Sequence, residues 1–261
     1  MTTDNSCMEI TPAQFAQIEH CLPLQRGNVS LSNLDVLNAI LYVAEHGCKW
    51  RGLPKRFGNW HTIYTRMNRW SKSGVLDRVF AELQQVQVVR IKIEAVSLDS
   101  TIVKVHPDGT GALKKNGPQS IGQSRGGWTT KIHMVAADAR TAVTFSLSPG
   151  QAHDAPAGRA LLSSLGAPDR PLHLLMDRAY EGNETRQLAL DLGFIPVVPP
   201  KQTPMTPWEY DRAMYKRRNE IERLFRRLKG YRRIFSRFEK LDVMFIGFIS
   251  FALIADGLRL C

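Results

Sequence analysis

The spacing of apolar residues divides this chain into a helical first third and a mixed remainder. Over residues 10–85 apolar positions recur at helical intervals, as in Leu34, Leu37, Leu41 and Ala44. A turn-rich stretch from Gly47 to Gly58, containing Gly52 and Pro54, ends that helix. A second helix starts at Asn59, a residue suited to capping. It carries Trp60, Ile63, Tyr64, Met67 and Trp70 on one stripe, with Arg66, Arg69 and Lys72 on the rest of its surface. Helix, turn and basic helix suits a DNA groove, but many helical pairs that only pack together share the pattern. Spacing alone leaves both readings open.

Near residue 91 the period changes. Ile91, Ile93, Val96 and Leu98 introduce a β-like stretch ending at Asp99, which sets a domain boundary at 85–92. Residues 107–127 hold six glycines, two prolines, Lys114, Lys115 and Arg125, a composition that predicts a mobile loop. Strands follow at 128–137 and 142–147, paired as a hairpin across Asp138 and Arg140, and then a helix at 155–165. Next come a strand over Leu172 to Met176 with Asp177 at its end, a helix at 183–192, and a strand at 195–198 stopped by Pro199 and Pro200. A long helix runs from Asp211 to Lys229. The apolar run Val243 to Ala255 is too short to span a bilayer, where about 20 residues are needed, and reads as a buried C-terminal helix. An α/β order with an antiparallel beginning and a parallel end predicts a ribonuclease H-like core, a mixed sheet flanked by helices. An all-helical, helix-turn-helix-like domain precedes it, so the domains fall at 1–88 and 89–261.

Composition narrows the partners. Among 261 residues, Lys and Arg outnumber Asp and Glu by 35 to 24, a net charge of +11 that points to a polyanion. Cys7, Cys21, Cys48 and Cys261 form neither a zinc spacing nor a disulfide framework, and His20, His46, His61 and His106 sit in no metal-ligand spacing. A reducing cytoplasm fits. The first 20 residues lack the basic start and apolar stretch of a secretion signal. His133 reads as structural, and His153 with Asp154 as a helix cap.

Aspartate disfavours strand interiors, so Asp99 and Asp177 each ask for a reason. One alone is ordinarily a turn or cap. Two at neighbouring strand ends would bring their carboxylates to one metal. On the long helix Tyr215, Arg218, Glu222 and Lys229 lie within about 60° of one another. They form a stripe beside the apolar face of Ile221, Leu224, Phe225 and Leu228. Glu220 instead projects toward Arg223 and Arg227 on the far side. Residues 212–240 carry twelve Lys or Arg against three Glu, a density that beside an acidic site reads as phosphate contact.

Tyr215, Arg218, Glu222 and Lys229 match the spacing Y-x2-R-x3-E-x6-K, which resembles the signature of DDE transposases of the insertion sequence four and five families. Leu98-Asp99-Ser100-Thr101 is similar to the first-aspartate motif and Asp177-Arg178-Ala179-Tyr180 to the second. Ser124 to Lys131 is similar to the glycine-rich approach to the second strand in the insertion sequence five family. The resemblance runs from about residue 30 to the C-terminus. It departs where residues 198–211 leave no room for the β-domain that some relatives insert.

The resemblance implies a DNA transposase in which Asp99, Asp177 and Glu222 hold two Mg²⁺ ions, with Mn²⁺ able to substitute. The DNA contacts it implies are Tyr215, Arg218, Lys229, Arg226, Arg125, Lys131, Arg66 and Arg69. The partners would be double-stranded DNA, namely the element's terminal inverted repeats and the target, bound by a homodimer or higher oligomer in the bacterial cytoplasm at the nucleoid, with no membrane. Residues 1–85 would fold and bind the ends by themselves, and Val243 to Ala255 and the N-terminal helices are candidate subunit contacts. Another ribonuclease H-like nuclease or integrase, or a helix-turn-helix regulator, are the alternatives.

Overall fold

The computed structural model describes residues 9–27, 29–90 (backbone alone for 85–90), 93–111, 113, 116–200 and 208–259. Cys7, Ile91, Lys114, Lys115 and Cys261 lie outside the described residues. The first helices are α1 (Pro12–Ala16), α2 (Asn33–His46), α3 (Trp60–Lys72) and α4 (Val75–Arg90). Strands β1 (Ala95–Val105), β2 (Gly122–Ser124), β3 (Gly127–Ala136) and β4 (Ala142–Pro149) follow, then α5 (Asp154–Leu165) and β5 (Leu172–Met176). The chain continues through α6 (Asn183–Asp191), β6 (Phe194–Val197), α7 (Arg212–Tyr215), α8 (Asn219–Leu228), α9 (Arg232–Phe235) and α10 (Asp242–Leu258).

Two compact units result. One gathers residues 1–87, 106–118 and 228–261, and the other residues 88–105 and 119–227. The second unit is a mixed sheet. β1 pairs antiparallel with β3 and parallel with β5, β6 extends the parallel side, and β4 and the short β2 extend the antiparallel side along β3. This is the ribonuclease H-like order that the sequence pattern predicts. One face of the sheet buries Val96, Leu98, Val135, Leu174 and Met176 against Leu161 and Leu162 of α5 and Ala189 of α6. Tyr180 fills the same core and lies on Gly158, where a Cβ would collide with the tyrosine ring. The opposite face packs Ala95, Leu175 and Val197 against Tyr210, Met214 and Tyr215.

Three local expectations change. β1 does not stop at Asp99 but runs to Val105, because its ladder with β3 continues from Ser97↔Ala136 to Lys104↔Thr129. Its partnership with β5 is what ends there, at Leu98↔Met176. Part of the expected loop over 107–127 is strand: β2 pairs with the start of β3 around a turn at Arg125 and Gly126, closed by Gly127 at φ +94°. The long helix from Asp211 is interrupted, with a 3₁₀ turn over Lys216–Arg218 between α7 and α8.

In the first unit α2 opens on a reciprocal cap between Ser32 and Asp35 and closes at Gly47, whose φ of +67° suits glycine. α2 and α3 pack on α10, every residue of which is buried from Gly247 to Leu258. Gly247 admits the side chain of Ser71 from α3, so the two helices approach closely. Within the same unit Tyr231 donates to Asp256 Oδ1 at 2.8 Å, and Arg237 pairs with Asp242 at 2.8 Å. The apolar segment Val243 to Ala255 is therefore internal core for the N-terminal helices rather than a free subunit contact. Residues 1–87 thus share one unit, and its core, with residues 106–118 and 228–261.

Candidate active site

Asp99 follows Leu98 on β1, Asp177 follows Met176 on β5, and those preceding residues are parallel partners. Adjacent strands lie roughly 4.8 Å apart, so Asp99, inside β1, and Asp177, just past the end of β5, lie side by side where the two strands stop pairing. Asp99 is held tightly. Its Oδ1 accepts from the Ser100 amide at 2.7 Å and its Oδ2 from Arg218 Nη1 at 2.7 Å. Asp177 caps the following 3₁₀ turn, its Oδ1 accepting from the Ala179 amide at 2.8 Å. The cap that a lone aspartate would suggest is thus present, alongside the placement beside Asp99.

Glu222 comes from the first turn of α8, and Arg218 Nη2 donates to its Oε1 at 2.6 Å. One guanidinium therefore joins Asp99 and Glu222, which ties the helix to the strand. Burial pushes the Asp99 carboxyl up to about 6, against the Ser100 hydrogen bond and Arg218, with Asp177 and Glu222 adding to the rise. Asp99 senses both of the other carboxylates electrostatically. Tyr215 packs against the sheet, and the Arg218 guanidinium lies 5.8 Å from its ring centre, so the tyrosine sets the direction from which the arginine reaches the acids.

A polar chain supports Asp99 from the other side. Ser100 Oγ donates to Asp154 Oδ1 at 2.8 Å, and Lys131 Nζ donates to the same oxygen at 2.9 Å and to the Ala152 carbonyl at 2.7 Å. Lys131, expected at DNA, has its side chain 11% exposed and its charge paired with Asp154. Ser100, which the sequence places in the first-aspartate motif, and Asp154, which it reads as a helix cap, are both neighbours of Asp99. The signal was faint: a His-Asp pair at a helix start looks like a cap, and His153 caps α5 without a side-chain hydrogen bond. His133 is buried, bonded to Ser148 Oγ at 2.7 Å, with its pKa lowered by burial, in keeping with a structural role.

The other expected contacts scatter. Arg226 is exposed on α8 and, with Arg223, Arg227 and Arg140 from the β3–β4 turn, lines an open groove of about 450 Å³. Arg125 is exposed on the β2–β3 turn. Lys229 falls just past α8 and within the first unit, its pKa lowered by burial. On α3 Arg69 is exposed, whereas Arg66 donates to the Leu31 carbonyl at 2.9 Å and serves the loop before α2. Arg66 is thus committed to its own fold.

The donor set fits a hard divalent cation: three carboxylates on three elements, two of them in register, with no thiol or imidazole among them. Among the described residues the trio whose ligand atoms close to within 4.8 Å is instead His20, Cys21 and Glu82, on the surface of the first unit. The acids of the second unit stand wider, with Arg218 between two of them.

Residues 90–255 match the family model described as "Transposase DDE domain", and residues 10–80 match one described as "Putative transposase of IS4/5 family". The chain belongs to the DDE transposase family. Over 132 residues it is 33% identical to the "Putative transposase for insertion sequence element IS6501" of Brucella ovis, spanning 50% of this chain and 99% of that protein. Over 81 residues it is 37% identical to the "Uncharacterized protein y4sN" of Sinorhizobium fredii, spanning 31% of this chain and 62% of that protein. Among solved structures, "Mos1 transposase paired-end complex with left transposon end" aligns with 67% of this chain and 61% of that one at 14% identity. Its TM-score of 0.27 is too low to bear on the fold. No helix among the described residues of this transposase is long and apolar enough to cross a membrane.

Proposed function

We propose that this chain binds the terminal inverted repeats of its own insertion sequence, cuts the DNA strands at the ends and joins the 3′ ends to target DNA. Asp99, Asp177 and Glu222 would hold the divalent metal, with Mg²⁺ suited to their all-oxygen donor set. The observation that carries this reading is the register of β1 and β5, which delivers two aspartates to one edge where Glu222 is tied in through Arg218. When bound, divalent ions supply an activated water or 3′-hydroxyl and shield the charge on the leaving 3′-oxygen.

The chain's own groups do the rest. Asp99 is oriented by the Ser100 amide, while the Ser100 hydroxyl donates to Asp154, which Lys131 holds in turn, so the carboxylate keeps one geometry. Arg223, Arg226, Arg227 and Arg140 take the phosphates flanking the cut, since four arginines around one groove suit a polyanion. Arg125 reaches DNA from the β2–β3 turn. Arg69 on α3 contacts the terminal repeat, and Lys229 adds a phosphate contact. One chain carries one acidic triad, so holding two ends for joining to one target needs at least two copies, in a closed twofold arrangement.

The test uses the full chain, a duplex bearing the DNA that flanks its reading frame with a free 3′-hydroxyl, and a supercoiled target plasmid. Joined product is expected in Mg²⁺ with the wild type and none with Asp99→Asn, although both retain duplex. Joining by the variant, or none by the wild type, would overturn the proposal.

A further inference from the structure

Arg218 has two partners that the proposed chemistry also needs. Its Nη1 takes Asp99 Oδ2 at 2.7 Å and its Nη2 takes Glu222 Oε1 at 2.6 Å, and its side chain is 19% exposed against 14% for Asp99. A guanidinium engages two carboxylates in this way through paired, charge-assisted bonds, which are among the stronger hydrogen bonds in proteins. The oxygens it engages are those of two proposed metal ligands. A divalent ion on the same oxygens would lie within a few ångströms of a fixed positive charge, in a half-buried setting where repulsion is poorly screened.

Two of the neighbouring cations are engaged elsewhere. Lys131 is committed to Asp154 and Ala152, and Arg217 pairs with Glu94 at 3.3 Å. The arginine has a way out. It ends the 3₁₀ turn Lys216–Arg218 at the head of α8, a tighter and weaker backbone than the α-helix that carries Glu222. It lies over Tyr215, and the exposed Arg226 sits one turn beyond Glu222. A phosphate drawn to that basic face is an alternative anion for the guanidinium.

We propose that Arg218 is an internal counter-cation that competes with divalent metal for Asp99 and Glu222, and that it exchanges those carboxylates for a DNA phosphate when metal binds. Metal loading and DNA binding then favour each other, because each removes what opposes the other. The acids are kept neutralised by Arg218 until DNA is at hand. The inference rests on the triad being the metal site, and its test is built to fail separately from that reading.

The measurement is Mn²⁺ binding, read from the free-ion spin-resonance signal, by the full chain without DNA. Arg218→Gln removes the charge and keeps a hydrogen-bonding side chain. It should bind Mn²⁺ at least about tenfold tighter than wild type, the equivalent of one of the two charge-assisted bonds no longer having to be displaced. Arg218→Lys keeps the charge and should stay near wild type. Binding that is unchanged or weaker in Arg218→Gln would overturn the proposal, since an arginine that merely positions the acids helps metal binding. In a second readout Mn²⁺ should raise the affinity of the wild type for duplex DNA severalfold more than that of Arg218→Gln; an equal rise counts against the exchange. Asp99→Asn should abolish Mn²⁺ binding in both backgrounds, and if it does not, the triad reading fails instead. Should Arg218→Gln not fold, the guanidinium ¹⁵N resonances of wild-type Arg218 decide during Mg²⁺ titration with duplex: they move if it is displaced and stay if it is not.

Discussion

Asp99→Asn should make the protein more stable. The Asp99 carboxyl rises from its ordinary 3.8 to about 6, with burial the largest cause and only partial relief from Ser100 and Arg218. That rise corresponds to about 3 kcal/mol of penalty on the charged form. Asparagine has a single side-chain oxygen: it keeps the bond from the Ser100 amide, gives up the one from Arg218, which retains Glu222, and removes the buried charge. Set against the lost Arg218 bond, at pH 8 with chelator present, the variant should gain on the order of 1–2 kcal/mol, or roughly 2–8 °C in Tm for a chain of this size. The sign follows from linkage: the folded state holds this proton more tightly than the unfolded state. Wild-type stability is therefore undiminished below 3.8 and is lost as pH rises through about 6. The advantage of the variant should be nearly absent at pH 4 and complete at pH 7 and above. Urea unfolding of both proteins at several pH values measures it. Equal stability at pH 8, or a variant less stable there by the 3–5 kcal/mol typical of a broken buried ion pair, would refute the reasoning.

Other outcomes follow from the same geometry. Glu222→Gln should lower DNA cutting by at least about a thousandfold while Glu220→Gln stays within a few fold, because only Glu222 meets Arg218 and, through it, Asp99; a single-turnover cleavage assay compares them. Alanine at Arg140, Arg223 and Arg226 together should flatten the dependence of log affinity on log salt by about one for each phosphate no longer held. Lys131→Met should leave that slope unchanged. Residues 1–88 expressed alone should show no cooperative unfolding, and joining residues 228–261 to them by a flexible linker should restore it. The fragment lacks α10, which buries Phe245, Phe248, Ile249, Phe251 and Ile254, each contributing about 1.5–3 kcal/mol. Thermal melts followed by circular dichroism check this.

Much of the site could be read before the fold was known, for identifiable reasons. The apolar runs before Asp99 and Asp177 mark strands, and the two aspartates converge because those strands stop pairing at the residues just before them. The helical stripe of Tyr215, Arg218 and Glu222 survives the 3₁₀ turn, because three residues complete a turn there and Tyr215 and Arg218 stay on one face. The turn itself was hidden, since Lys and Arg are good helix formers. The reach of β1 to Val105 was missed although Thr101, Ile102, Val103 and Val105 are β-branched; the aspartate was read as an end, and the pairing with β3 overrides it. Lys131 carries a charge that any sequence shows, but its partner Asp154 lies 23 residues away. An apolar segment such as α10 announces burial without saying beneath what. Its place under α2 and α3 is a long-range contact that local pattern does not encode.

The central claim, that Asp99 and Asp177 bind the ion that acts on DNA, is tested most directly by exchanging their oxygens for sulfur. Mg²⁺ prefers oxygen ligands and Mn²⁺ tolerates softer ones, so a thiol at a true ligand position separates the two ions. Asp99→Cys and Asp177→Cys should each fail to join a 3′ end to target DNA in Mg²⁺ and recover measurably in Mn²⁺, against a wild type active in both. Full joining by either variant in Mg²⁺, or recovery by neither in Mn²⁺, would contradict the account.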